Sequence, residues 1–251
     1  MTTKKMLKVA IPAVLLVMVL LGCDNADSLK KKGDERLAAG DIEQAVSFYD
    51  KAIKKKPSAE LYYSRGGAYF KLEKYNSALS DFNDALNLDK DHADAYKWRG
   101  FTYDILEDYP NAVSDLKNYT RVVKDDYVAF TTLSSIQYKI GDVDEAITAA
   151  SAAIGIDPEN TDGYNLRGYG YLLKKSNKAA ADDFRVVLKI DPENSYAKEN
   201  IAEIDRLDRL AAQQRQRNEM SWLEGLMRSP NPNAAAYEFG RQMTLDAFFG
   251  N

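Results

Sequence analysis

KLEKYNSALSDFNDALNLDK, residues 71–90, is the stretch whose reading decides the fold, because it recurs along the chain in altered form. AAGDIEQAVSFYDKAIKKKP (38–57), ILEDYPNAVSDLKNYTRVVK (105–124), KIGDVDEAITAASAAIGIDP (139–158) and LKKSNKAAADDFRVVLKIDP (173–192) align with it. One alanine is held throughout, as Ala45, Ala78, Ala112, Ala146 and Ala180, at spacings of 33, 34, 34 and 34. Twelve residues before each stands a small residue: Gly33, Gly66, Gly100, Ser134 and Gly168. Each unit closes on a loop position, at Pro57, Lys90, Lys124, Pro158 and Pro192. A fixed period in the thirties is the mark of an array in which each unit buries its apolar face on its neighbours.

This pattern resembles the tetratricopeptide repeat. The resemblance implies an all-α fold, a right-handed solenoid of antiparallel helix pairs, A and B. Five units follow, at 26–58, 59–92, 93–126, 127–160 and 161–194. The small residues allow helices A and B of a unit to approach. Large residues fill the space between them: Leu29, Tyr62, Tyr96, Phe130 and Tyr164 at position 4, and Tyr49, Phe82, Leu116, Ala150 and Phe184 at position 24. Position 27 should be small. Ala52, Ala85 and Ala153 comply, but Tyr119 and Val187 do not, so the third unit should pack in a looser or shifted way on the fourth.

An array of this kind needs a polar cap. Residues 195–220 supply one, with Ile201, Ile204, Leu207 and Leu210 at helical spacing and charged residues elsewhere. The tail, 221–251, is apolar, with Pro230 and Pro232 separating two short helix-like pieces. It either docks on its own solenoid or binds a partner.

The N-terminus carries a different signal. Lys4, Lys5 and Lys8 precede a 13-residue apolar run, Val9 to Leu21, which is too short to span a bilayer. Gly22 and Cys23 follow, and Cys23 is the single cysteine of the 251 residues. Basic head, short apolar core and Gly-Cys resemble the signal peptide and lipobox of bacterial lipoproteins. That implies cleavage after residue 22, lipid on Cys23, and a mature chain with a tether of residues 23–25. Two or more acyl chains anchor stably where one does not. In enterobacterial lipoproteins an aspartate after the cysteine resembles a signal for the inner membrane, so Asp24 leans the expectation toward that membrane over the outer one.

Charge and composition narrow the function. The chain has a formal charge of −4, and loss of a leader with three lysines and no acid takes it to −7. An acidic chain argues against nucleic acid as partner. His92 is the sole histidine, in a polar stretch with Asp91 and Asp94, so it reads as solvated and no metal site is expected. No phosphate loop or nucleophile elbow is present. No enzyme activity, cofactor or small-molecule substrate is expected. Arg65, Arg99 and Arg167 stand at position 7 of units two, three and five, each followed sixteen residues later by Asp81, Asp115 and Asp183. Units one and four have neither partner, with Lys32 and Phe48, and Leu133 and Ala149. Joint presence or absence points to ion pairs bridging helices A and B, or adjacent units.

By analogy with the family, positions 2, 5, 9, 12 and 13 of each helix A line a binding groove. Here they include Tyr63, Phe70, Lys71, Lys97, Phe101, Asp104, Tyr138, Lys139, Asn165, Tyr169 and Leu172. The Lys and Asn clamp of chaperone-binding relatives is broken, since Lys97 pairs with Phe101 and Asn165 with Tyr169. An aromatic groove with lysines suits a peptide bearing apolar and acidic residues, or stacked sugar rings. The expected function is therefore a lipid-anchored scaffold or adaptor for a bacterial envelope complex, such as one assembling a pilus secretin or serving a protease. The alternative is a glycan-binding factor in polysaccharide export.

Overall fold

The computed structural model describes residues 25–228 and Tyr237. Eleven helices make up these residues, with no strand among them. The A helices are α1 (Ala26–Ala38), α3 (Ala59–Lys71), α5 (Ala93–Ile105), α7 (Tyr127–Lys139) and α9 (Thr161–Leu173). The B helices are α2 (Ile42–Lys55), α4 (Tyr75–Leu88), α6 (Tyr109–Val122), α8 (Val143–Ile156) and α10 (Asn177–Ile190). α11 (Ser195–Arg228) closes the array. Every A helix has 13 residues and every B helix 14.

Local chemistry sets these boundaries. Asn25, Ser58, Asp108, Asp126 and Asn160 each cap a helix start by accepting a backbone N–H from its first turn. Each A helix ends in the same turn. The residue at position 15 has positive φ in all five units: Gly40, Glu73, Glu107, Gly141 and Lys175. The following N–H reaches back five residues, as from Lys74 to the Tyr69 carbonyl at 2.9 Å and from Asp142 to that of Gln137 at 2.9 Å. This bond reverses the chain in a Schellman-type motif, and glycine takes that conformation without strain.

The core runs between the helices. Tyr49, Phe82, Leu116 and Phe184 are fully buried. A Cβ on Gly66 would meet the Phe82 ring at 2.8 Å, and one on Gly168 the Phe184 ring at 2.9 Å. Unit four relieves the same contact differently: Ser134 faces Ala146, its hydroxyl donating to the Ala146 carbonyl at 2.8 Å, and position 24 shrinks to Ala150. Tyr119 is accommodated as a buried side chain whose hydroxyl donates to Asp126 at 2.7 Å. Of the neighbouring A helices, those of units three and four make the thinnest contact.

The C-terminal part differs from the sequence expectation. A single helix of 34 residues runs from Ser195 to Arg228, past the boundary expected at residue 220. Leu, Met, Trp and Glu residues continue the helical run because Pro230, the first residue unable to join it, lies beyond. Ala197 and Ile204 are buried on α10, but residues 205–221 are exposed, with Met220 53% and, further on, Leu223 43% exposed. So residues 221–228 extend the helix and do not fold back on the groove. Tyr237 is also exposed. The rest of the tail, like Cys23 and the leader, lies outside the described residues.

Candidate binding groove

Two hollows open on the face lined by the A helices. The N-terminal one, about 200 Å³, is lined by Asp34, Leu37, Tyr49, Tyr63, Ser64, Gly67, Phe70, Lys71 and Trp98. The larger one, about 580 Å³, is lined by Asp104, Thr131, Thr132, Ser135, Asp162, Asn165, Leu166, Tyr169 and Tyr196. Aromatic rings meet at the wall of the first hollow, with Trp98 edge-on to Phe70 at 5.1 Å and to Phe101 at 5.7 Å. Of the residues expected in the groove, Tyr63, Phe70, Lys71, Asp104, Asn165 and Tyr169 line a hollow. Phe101 and Leu172 pack onto core clusters instead. Tyr138 is a structural tie. Its hydroxyl donates to the Leu166 carbonyl at 2.7 Å, and burial pushes it up to about 12.

The lysines require a correction. Lys97 is held by Asp126 at 3.1 Å and lies over the Tyr119 ring at 5.0 Å. Lys139 is held by Asp104 at 2.8 Å and lies over Tyr109 at 4.8 Å. Both are drawn into cross-helix pairs, so neither is a free cation waiting for an acidic peptide. Asp126 accepts from Tyr119, the Ala129 N–H and Lys97; burial pushes its carboxyl up, and these three bonds outweigh that and hold it below the usual range. His92 also departs from expectation. Its Nδ1 accepts from the Ala95 N–H at 3.3 Å, capping α5, and its ring lies tilted against Tyr63 with centroids 4.7 Å apart. It is a half-buried cap, not a solvated loop residue.

The arginines lie away from these hollows. Arg65 Nε and Nη2 donate to the two Asp81 oxygens at 2.8 and 2.7 Å. Arg99 does the same with Asp115 at 2.6 and 2.7 Å, and Arg167 with Asp183 at 2.9 and 2.7 Å. The third nitrogen crosses to the preceding B helix, at Asp50, Asn83 and Ser151. Each arginine thus links helix A to helix B and also one unit to the previous one. Tyrosines at positions 4 and 11 flank the guanidinium: Tyr62 and Tyr69 for Arg65, Tyr96 and Tyr103 for Arg99, all between 5.6 and 5.9 Å. Its hydrogen bonds to Asp81 hold the Arg65 guanidinium more firmly charged than usual. In unit four the set is replaced by Phe130, Leu133, Gln137 and Ala149, which line a notch of about 280 Å³. Gln137 is 1% exposed there and its Oε1 has no donor.

Sequence reasoning missed Thr131, Ser135 and Asp162, although positions 5, 9 and 2 are where the groove was expected; Thr131 and Ser135 carry only small hydroxyls, and Asp162 looks like an ordinary first-turn acid of a helix. Trp98 and Tyr196 carried no comparable signal, since the first is at position 6 and the second belongs to the cap. Among the described residues no group of three metal-ligating side chains forms.

Comparison with known proteins completes the description. The tetratricopeptide repeat model matches residues 30–91 and 131–195, just over half the chain. The chain belongs to the tetratricopeptide-repeat family. Curated relatives share short stretches: mouse sperm-associated antigen 1 is 41% identical over 64 residues, 26% of this chain and 7% of that protein. Human serine/threonine-protein phosphatase 5 is 41% identical over 66 residues, 26% of this chain and 13% of that protein. The chain therefore spans a small part of these relatives. Among solved structures, YrrB, described as a repeat protein with an unusual peptide-binding site, superposes with a TM-score of 0.66 at 24% identity, over 76% of this chain and 98% of its own. MamA from Desulfovibrio magneticus superposes at 0.62 with 22% identity, over 68% and 97%. At these identities the likeness is one of fold. Repeat solenoids of this family are protein–protein interaction scaffolds.

Proposed function

We propose that this protein is a lipid-anchored scaffold of the bacterial envelope, which binds a segment of a partner protein along its A-helix face and catalyses no reaction. The observation that carries the binding role is the 580 Å³ groove, which Thr132, Ser135 and Asn165 line together with the half-exposed rings of Tyr169 and Tyr196. A peptide laid there gains ring contacts and backbone hydrogen bonds together. YrrB, similar in fold, is described by its peptide-binding site, which supports the same use of this face.

Anchoring rests on residues 1–23 alone. With the tether at Asp24 and Asn25, the first unit would lie against the headgroups, since two extended residues span only about 7 Å. Photocrosslinker placed at Tyr169 in membranes should yield a protein adduct, and at Arg185 on the far B helix it should not. An adduct made of carbohydrate would favour the glycan-export reading, to which paired tyrosines and free hydroxyls also lend themselves. Labelling with a palmitate analogue should mark the native chain and not Cys23→Ser; equal labelling of both refutes the anchor. A flexible Gly/Ser insertion of about 25 residues after Asn25, spanning roughly 25–30 Å, should spare folding and weaken complex formation.

A further inference from the structure

We propose that the larger groove seats an arginine side chain carried by an extended segment of the partner. This rests on the A-helix face being the partner-binding face. The groove has an excess of acceptors. Asp162, exposed on the first turn of α9, has no cationic partner among the described residues. Asn165, half-buried on the groove wall, keeps its Oδ1 turned inward without a donor, so turning that oxygen outward to an arriving N–H forfeits no hydrogen bond and relieves a costly unpaired acceptor. Among the described residues that donor is not supplied: Lys139, the cation drawn to the groove wall, is already held by Asp104.

The rings complete the site. Tyr169 is 39% exposed and Tyr196 41%, so each offers ring surface to the hollow they both line. A guanidinium is planar, carries five N–H donors, and can stack on a tyrosine while bonding a carboxylate and an amide oxygen. A lysine ammonium matches less of this, and a carboxylate is repelled by Asp162. The chain itself uses the arrangement. Arg65 and Arg99 each lie between two tyrosine rings, with a carboxylate in the plane and a further side-chain oxygen beyond. The groove presents the tyrosines, carboxylate and amide oxygen with the arginine left to the partner.

The test uses the full chain and four fluorescein-labelled eleven-residue peptides, identical but for arginine, lysine, leucine or glutamate at the centre. Anisotropy gives affinity, and amide NMR shifts locate the peptide. The arginine peptide should bind about tenfold more tightly than the leucine peptide, as charge-assisted hydrogen bonds provide, and glutamate least. Asp162→Asn should abolish that preference and leave the leucine peptide unchanged. Equal affinities across the set, or a preference that survives Asp162→Asn, would overturn the arginine site while leaving peptide binding intact. If no peptide shifts resonances around Tyr169, the site and the groove reading both fall. If Arg241→Ala in the full chain tightens arginine-peptide binding several-fold, the occupant is the chain's own C-terminal segment and a partner arginine is refuted.

Discussion

Arg99 shows how much one side chain holds. Asp115 beneath it is 3% exposed, so removing the arginine alone strands a buried carboxylate. Arg99→Leu should cost about 3 kcal/mol, and Arg99→Leu with Asp115→Ala, which copies unit four, should cost less. Chemical denaturation in a double-mutant cycle measures this, and additive effects would show the pair is not coupled. Asp126 gives a pH dependence. Its carboxyl is depressed in the fold, so its contribution is complete above the unfolded value near ~4 and is lost as pH falls through the lower folded value. Asp126→Asn should therefore be less stable than the native chain at pH 7, and the gap should close as pH falls below the ordinary carboxylate range. Glu107 is strained, with φ of 61°, where Gly40 and Gly141 are not. Glu107→Gly should raise stability by about 0.5 kcal/mol, the relief of the left-handed conformation exceeding glycine's extra unfolded-state entropy.

At the scale of the helix pair, the glycine on A and the large residue on B act as one unit. Gly168→Ala drives a methyl into the Phe184 ring, which has no room to yield, and should cost about 2 kcal/mol. Joined to Phe184→Ala, the arrangement unit four uses with Ser134 and Ala150, its cost should fall well below the sum of the two single changes. Thermal unfolding of the four proteins reports it, and simple additivity would break the link. Unit four also bears the unpartnered Gln137. Gln137→Met keeps the length and removes the orphan amide, and should stabilise by about 1 kcal/mol.

At the scale of the molecule, the solenoid is a line of units whose end must be covered. The first part of α11 does this through Ala197 and Ile204, and the exposed remainder projects from the array. A chain ending after Ala212 should melt within a few degrees of the native one, whereas one ending after Asn194 should lose the fifth unit's cooperative unfolding. Retained protection of α10 amides in the shorter form would show that the fifth unit needs no cap.

Much of this was legible in the residues themselves. Ala78, Gly66 and Phe82 recur at fixed offsets because two helices in contact tolerate only small residues at the crossing, and a period is visible without coordinates. The joint loss of arginine and aspartate in unit four was visible for the same reason: a buried charge needs its opposite. What the one-dimensional order does not carry is competition between neighbours. Lys97 and Lys139 look like groove cations until Asp126, twenty-nine residues on, and Asp104, thirty-five residues back, are brought beside them. The tyrosines around the arginines, the capping role of His92 and the hollow shared by Thr132, Asp162 and Tyr196 likewise arise from stacking of one unit on the next. Periodicity follows from covalent order and local packing, so the sequence alone determined the solenoid. Which charges remain free follows from distances between units, and only the tertiary structure decided those.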